Sequence, residues 1–167
     1  MSARIGFARE KARRILLAAG QNSIPVDLLA VCAHLKFEYI EVEHFPESLS
    51  ALCVEKGGTR YAAVNKSHSS NRRRFSLAHE LGHWCLGHTR GYGWSDVTID
   101  NPPDPKQMKT ANAFEEKEAN EFAGELLVPL AELKRLYGDN TKVNDLARRF
   151  DVSDQVMTIR MIAARIL

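Results

Sequence analysis

The sequence predicts an α+β fold, in which a small antiparallel sheet packs against helices and a short helical region closes the chain. Three observations carry that expectation. Apolar residues recur at helical spacing near the start and again beyond residue 70. "FEYIEVEHF" (37–45) alternates and is rich in β-branched and aromatic residues. "LSALCVEKGGTRYAAVN" (49–65) places two strand-like runs on either side of Gly57-Gly58.

Taken in order, residues 5–19 put Ile5, Ala8, Ala12, Ile15, Leu16 and Ala19 on one helical face, and Gly20 follows as a stop. A second helix is expected from about Pro25 to Leu35, capped by Ser23, with the proline near the first turn, where a missing N–H costs little. The strand and hairpin come next. Asn71 or Ser70 is placed to cap the helix after them. Residues 89–109, broken by Gly and Pro, are expected to form a long loop, a kind of segment that often serves as a lid or binding surface. A long helix should run from about 111 to 128 and end before Pro129. Beyond it lie short helices, interrupted at Gly138, the last two joined at Asp151-Val152-Ser153. Residues 1–136 are expected to form the main domain, with 137–167 as a helical appendage packed on it.

A chain of 167 residues, 44% hydrophobic and 26% charged, has the balance of a soluble globular protein, and its core needs neither disulfide nor metal merely to fold. The net charge of +2 is too small to argue for nucleic acid as a partner. Three cysteines without C-x-x-C pairing read as reduced thiols of a cytosolic protein. The first twenty residues are charged throughout, unlike a signal peptide, and no apolar run approaches the roughly 20 residues that span a bilayer. A cytoplasmic protein with no membrane contact is expected.

Chemistry concentrates in "RRRFSLAHELGHWCLGH" (72–88). Residues four apart on a helix lie about 40° apart around its axis, so His79 and His83 project side by side and can both reach one zinc ion. Glu80 falls on the same side, able to contact a metal-bound water without ligating the metal. Zinc lowers the pKa of such a water toward about 7, and a nearby carboxylate takes its proton, which is what amide hydrolysis requires. The flanking Phe75, Leu77, Ala78, Leu81, Trp84 and Leu86 bury this helix, where two imidazoles and a carboxylate are costly without a partner.

A third ligand is needed. His88 lies five residues after His83, about 140° around the helix, and is expected to be a partly exposed helix-end residue. "AFEEKEANEFAGELLVP" (113–129) is the better source. Its apolar stripe is Ala119, Phe122, Ala123, Leu126 and Leu127; Glu118, Glu121 and Glu125 share the opposite face and are expected to be solvated. Glu115 and Glu116 fall on the stripe itself. Glu116 is preferred over Glu115, because Asn120 one turn later can accept the outer N–H of a zinc-bound histidine.

These stretches, with "RYAAVNKSHSSNRR" and "IPVDLLAVCAHL", resemble the ImmA/IrrE family of zinc metallo-endopeptidases over about residues 8–136. The resemblance implies a thermolysin-like (gluzincin-like) zinc core with His79, His83 and Glu116 as ligands and Glu80 as general base. It also implies cleavage of helix-turn-helix repressors of phage, mobile elements or stress operons. The strand ending at Val64-Asn65 would lie beside the active-site helix and receive an extended substrate along its edge. The competing reading is a non-proteolytic binding module that keeps the zinc fold, with DNA contact through the C-terminal helices as one form of it.

Other features carry less. "LARRFDVSDQVMTIRMI" (146–162) has the look of a helix-turn-helix, but only Arg148, Arg149 and Arg160, with Arg165 just after it, supply positive charge, so packing on the zinc domain or engaging a partner is the preferred reading over DNA binding. Arg72-Arg73-Arg74 opens a helix against its dipole, and a solvated face is the default. Tyr92 and Trp94 are candidates to line a substrate groove. Tyr61 and His68 are candidates to stabilise an oxyanion. Cys85 points about 200° away from His83 and reads as core.

Overall fold

The computed structural model describes residues 2–88 and 112–167. Its elements are α1 (Ile5–Ala18), α2 (Leu28–His34), β1 (Phe37–Val42), β2 (Ala51–Lys56), β3 (Thr59–Asn65), α3 (Ser70–Leu86), α4 (Ala113–Leu127), α5 (Leu130–Leu136), α6 (Val143–Phe150) and α7 (Asp154–Ala163). The expected loop at 89–109, with Tyr92 and Trp94, lies outside the described residues.

The fold is α+β, with a three-stranded sheet in the order β1-β3-β2. The sheet is mixed rather than antiparallel. β2 and β3 form the expected hairpin over Gly57-Gly58, whose positive φ angles of 59° and 80° suit a tight turn between strands. β3 then inserts between β2 and β1 and runs parallel to β1. Strand patterning reports which face is buried and not which neighbour a strand takes, so this pairing has no local signature.

Alternation divides the sheet into two faces. Ala51, Cys53, Ala62 and Val64 join the main core beneath the helices. Leu52, Val54 and Ala63 point the other way and are covered by Val42 at the end of β1 and by Phe45 and Leu49 from the β1–β2 connection. Tyr61 packs with that second cluster.

The starts of α2, α3 and α4 follow side-chain caps, the first two differing from the expected residues. Asp27, not Ser23, caps α2, its carboxylate accepting from the N–H groups of Leu29 and Ala30. Ser69 caps α3, and Asn112 opens α4 with a capping box to Glu115. Glu115 therefore serves the helix start. The arginines that open α3 are each partnered: Arg73 with Glu41 at 2.8 Å, Arg72 with Glu47 at 3.5 Å, and Arg74 with the carbonyls of Asp151 and Val26 at 3.0 Å each. Those contacts offset the unfavourable dipole.

The glutamates expected to be solvated on α4 are instead the docking face for two other helices. Arg4, Arg9 and Arg13 of the first helix and its lead-in pair with Glu118 (2.8 Å), Glu121 (2.9 Å) and Glu125 (3.1 Å). Glu118 and Glu125 are only 3% and 1% exposed. From the other side Arg160 of α7, 2% exposed, bonds Glu125 and donates to the Val128 carbonyl at 3.0 Å and 3.1 Å. Gly124 makes room, since a Cβ there would stand 2.9 Å from Arg160 Cδ. The main core continues through Leu146, Phe150, Met157, Met161 and Ala164, so the C-terminal helices pack on the same core as the sheet. With Arg160 inside and Arg148 paired to Asp145, the cation set for DNA contact shrinks.

Cys32, Cys53 and Cys85 are free thiols, and burial pushes Cys32 up to about 12 and Cys85 to about 11, leaving both protonated and unreactive near neutrality. No helix among the described residues is long and apolar enough to cross a membrane.

Arg160→Ala should strand Glu125 with only the partly exposed Arg13. We expect a loss of about 3 kcal/mol, the low end for a broken buried pair, measured by urea unfolding. A loss below about 1 kcal/mol would contradict the packing described for α7.

Candidate metal centre

The site rests on how closely α3 meets α4. Gly82 sits at the crossing: a Cβ there would lie 3.0 Å from Phe122 Cδ1 and 3.2 Å from the Ala119 carbonyl. In mid-helix a glycine costs about 1 kcal/mol relative to alanine, so its use marks a required approach. Leu77, Ala78 and Leu81 anchor α3 in the core, and Phe122, Ala123 and Leu126 anchor α4. Glu116, in the first turn of α4, is thereby carried to the histidine pair of α3.

His79, His83 and Glu116 offer ligand atoms that all lie within 4.8 Å of one another, the one such group of three among the described residues. The two Nε2 atoms are 2.9 Å apart, and Glu116 carboxylate oxygens lie 3.2 Å and 3.3 Å from them. Ligands about 2.0–2.1 Å from a tetrahedral zinc ion lie about 3.3 Å from each other, so the spacing fits one ion. The hydrogen bonds fit as well. Asn120 Oδ1, a carbonyl oxygen, can only accept, so His79 Nδ1 donates to it at 2.9 Å and its Nε2 keeps a lone pair. That lone pair and the carboxylate converge on one point, which a cation reconciles.

Glu80 lines a cleft of about 340 Å³ with His79 and Asn120; its other wall is the Ser48–Ala51 segment leading into β2. Past Phe75, Ser76 and Asn120 the cleft meets a groove of about 620 Å³ between α3, α4 and α7.

Three expectations change here. Val64 and Asn65 cannot offer an open edge, because β3 is the central strand: Val64 is registered with Glu41 on one side and Ala51 on the other. Asn65, fully buried, donates to the Leu49 carbonyl at 2.9 Å and the Pro46 carbonyl at 3.2 Å, and so holds the cleft wall rather than lining it. His68 works with it, its Nε2 3.1 Å from the Glu47 carbonyl. Neither His68 nor Tyr61 lines the cleft. Tyr92 lies outside the described residues.

His88 is the largest departure. Its imidazole is 3% exposed and lies against His83, Nδ1 to Nδ1 at 2.9 Å. A regular helix would aim it away, but α3 ends at Gly87 in the left-handed conformation (φ 70°). The His88 N–H bonds the His83 carbonyl and the Gly87 N–H the Trp84 carbonyl, a Schellman ending that turns the chain back over the last turn. Gly87 in the sequence was the available signal. Beyond His88 stands Glu118, 3.0 Å from its Nε2. The side-chain hydrogen bond from Arg4 holds Glu118 at about 2, against the opposing effect of its burial.

A peptidase family model, the IrrE N-terminal-like domain, matches residues 43–161, which include α3, α4 and every candidate ligand. The chain belongs to that family. A solved structure it resembles, a Mycobacterium tuberculosis transcriptional regulator, aligns with a TM-score of 0.63 at 18% identity, over 93% of this chain and 46% of that one. That likeness shows the shared fold, and the chain spans less than half of that neighbour's length. No curated protein sequence matches the chain.

In this IrrE-like peptidase domain the Gly82 contact is open to direct test. Ala119 O is backbone and Phe122 is fully buried, so making room for a methyl group moves the α3–α4 crossing by a few tenths of an ångström. Gly82→Ala is expected to cost about 1–2 kcal/mol net, overpacking outweighing the gain in helix propensity, and to weaken zinc binding as Glu116 moves outward. Chemical unfolding and zinc titration read the two effects; unchanged zinc affinity would show that the crossing does not set the site.

Proposed function

We propose that the domain is a zinc-dependent endopeptidase that hydrolyses a peptide bond in a regulatory protein. The observation that carries this reading is the convergence of His79, His83 and Glu116 beside Glu80 in an open cleft. His79, His83 and Glu116 would hold the ion, leaving a coordination position for solvent as catalytic zinc sites do. When bound, zinc supplies Lewis acidity, activating water and polarising the scissile carbonyl.

The remaining work belongs to the chain. Glu80 takes a proton on a carboxylate oxygen as water attacks, and gives it to the departing amine as the C–N bond breaks. Asn120 keeps His79 oriented. Among the described residues β2 pairs only with β3, so its outer edge can accept an extended substrate by strand addition, the role first expected of Val64-Asn65. The groove past Phe75 and Ser76 would take side chains further along the same substrate.

A helix-turn-helix repressor is the proposed substrate, in a cytoplasmic setting that the free thiols suit. The regulator named as a structural neighbour is compatible with a role in transcriptional control. A helix-turn-helix repressor encoded beside the gene is the first substrate to try.

Glu80→Gln keeps the ligand set and removes the base. We expect it to bind zinc normally and to cleave at least about 100-fold more slowly, read by mass spectrometry of the repressor digest. Cleavage at the unaltered rate would refute the assigned mechanism. A cellular effect that survives the substitution would favour a binding module instead.

A further inference from the structure

The hydrogen-bond chain behind His83 reaches a part of the sequence that the family match does not cover. Arg4 donates to Glu118 three times: from its backbone N–H to Oε1 at 2.7 Å, from Nε to Oε1 at 3.1 Å, and from Nη2 to Oε2 at 2.8 Å. Residue 4 precedes the matched span of 43–161. Glu118 also meets His88 Nε2 at 3.0 Å, and His88 Nδ1 meets His83 Nδ1 at 2.9 Å.

We propose that Arg4 and Glu118, acting through His88, fix the tautomer and ring orientation of the metal ligand His83, so that the segment leading into α1 is a working part of the metal centre. The inference rests on the metal site described above.

The polarity of the chain runs one way. A carboxylate that receives guanidinium hydrogen bonds on both oxygens is ionised and can only accept. His88 must then donate from Nε2. A neutral imidazole that donates from Nε2 presents a bare Nδ1, so the proton between the two rings sits on His83 Nδ1. His83 is left with a lone pair on Nε2, the atom 2.9 Å from His79 Nε2. Reversed, the chain would place the proton on the atom that must bind metal. The two histidine ligands are thus oriented by different devices. His79 uses an amide from α4, whereas His83 uses a buried relay whose carboxylate, Glu118, is tied down by a residue 114 positions away from it.

Burial gives the relay its force. Glu118 and the His88 imidazole are nearly solvent-free, so water cannot replace a missing partner cheaply. Arg4 is the accessible end, its side chain 55% exposed, and can be changed without opening the core.

The test uses the full chain, with zinc alone as the probe. Zinc affinity is measured by competition with a chromophoric chelator, and His83 tautomer by long-range ¹H–¹⁵N correlation of the imidazoles. His88→Ala is expected to weaken zinc by about 10- to 100-fold, and Arg4→Met by about threefold or more, with loss of the single Nδ1-protonated His83 signal. His88→Gln should recover most of the affinity, because its carbonyl can accept from His83 while its NH₂ donates to Glu118. Melting of the metal-free variants shows whether the fold survives; Arg4→Met carries the test if His88→Ala does not fold. Zinc affinity in both Arg4→Met and His88→Ala within twofold of wild type, or an unchanged His83 signal, would overturn the relay alone. A wild-type chain that fails to bind zinc tightly would overturn the relay and the metal site together.

Discussion

The close crossing of α3 and α4 at Gly82 is the constraint on which the candidate site depends. The two histidines are set by α3 alone, but the carboxylate belongs to a helix that begins more than twenty residues later. A contact in which a Cβ would stand only 3.0–3.2 Å from its neighbours brings Glu116 to their Nε2 atoms. Fully buried Phe122 and Ala119 face the glycine, so the same contact that seals the core also spaces the ligands.

The other faces of α4 are committed to holding it still. On one side α1 lies along it through small Ala8 and Ala12 and the three arginine–glutamate pairs; on another Arg160 pins α7 to Glu125 and Val128. Buried ion pairs contribute modestly to stability because desolvation opposes them, but they penalise any other register of the helices. Register is what a metal site needs. A ligand displaced by one ångström is no ligand, and charged partners spaced along α4 discriminate such slips better than apolar contacts do.

What the sequence revealed, and what it hid, divides by distance along the chain. The neighbouring placement of His79 and His83 follows from helix geometry. Glu116 and its companion Asn120 were legible because a carboxylate on an apolar stripe calls for a partner. The hairpin was legible because Gly57-Gly58 announces its own turn. Helical periodicity puts Glu118 and Glu125 on the solvent face, because their partners, Arg4, Arg13 and Arg160, come from distant segments that no local period connects to them. A regular helix continued through Gly87 turns His88 away from His83, whereas the left-handed backbone of Gly87 ends the helix and turns it back. The parallel pairing of β1 has no local signal, because it is the second strand of the hairpin, β3, that takes the central position beside β1, which also removes Val64 and Asn65 from the role of an open edge.

The central claim is that one ion is shared by two helices, and X-ray absorption at the zinc edge on the zinc-loaded chain tests it most directly, alongside the same measurement on Glu116→Ala. The account predicts one zinc per chain, two imidazole nitrogens at about 2.0–2.1 Å and a carboxylate oxygen at about 2.0–2.2 Å that disappears in the variant. A wild-type spectrum without two imidazoles, or one that Glu116→Ala leaves unchanged, would contradict it.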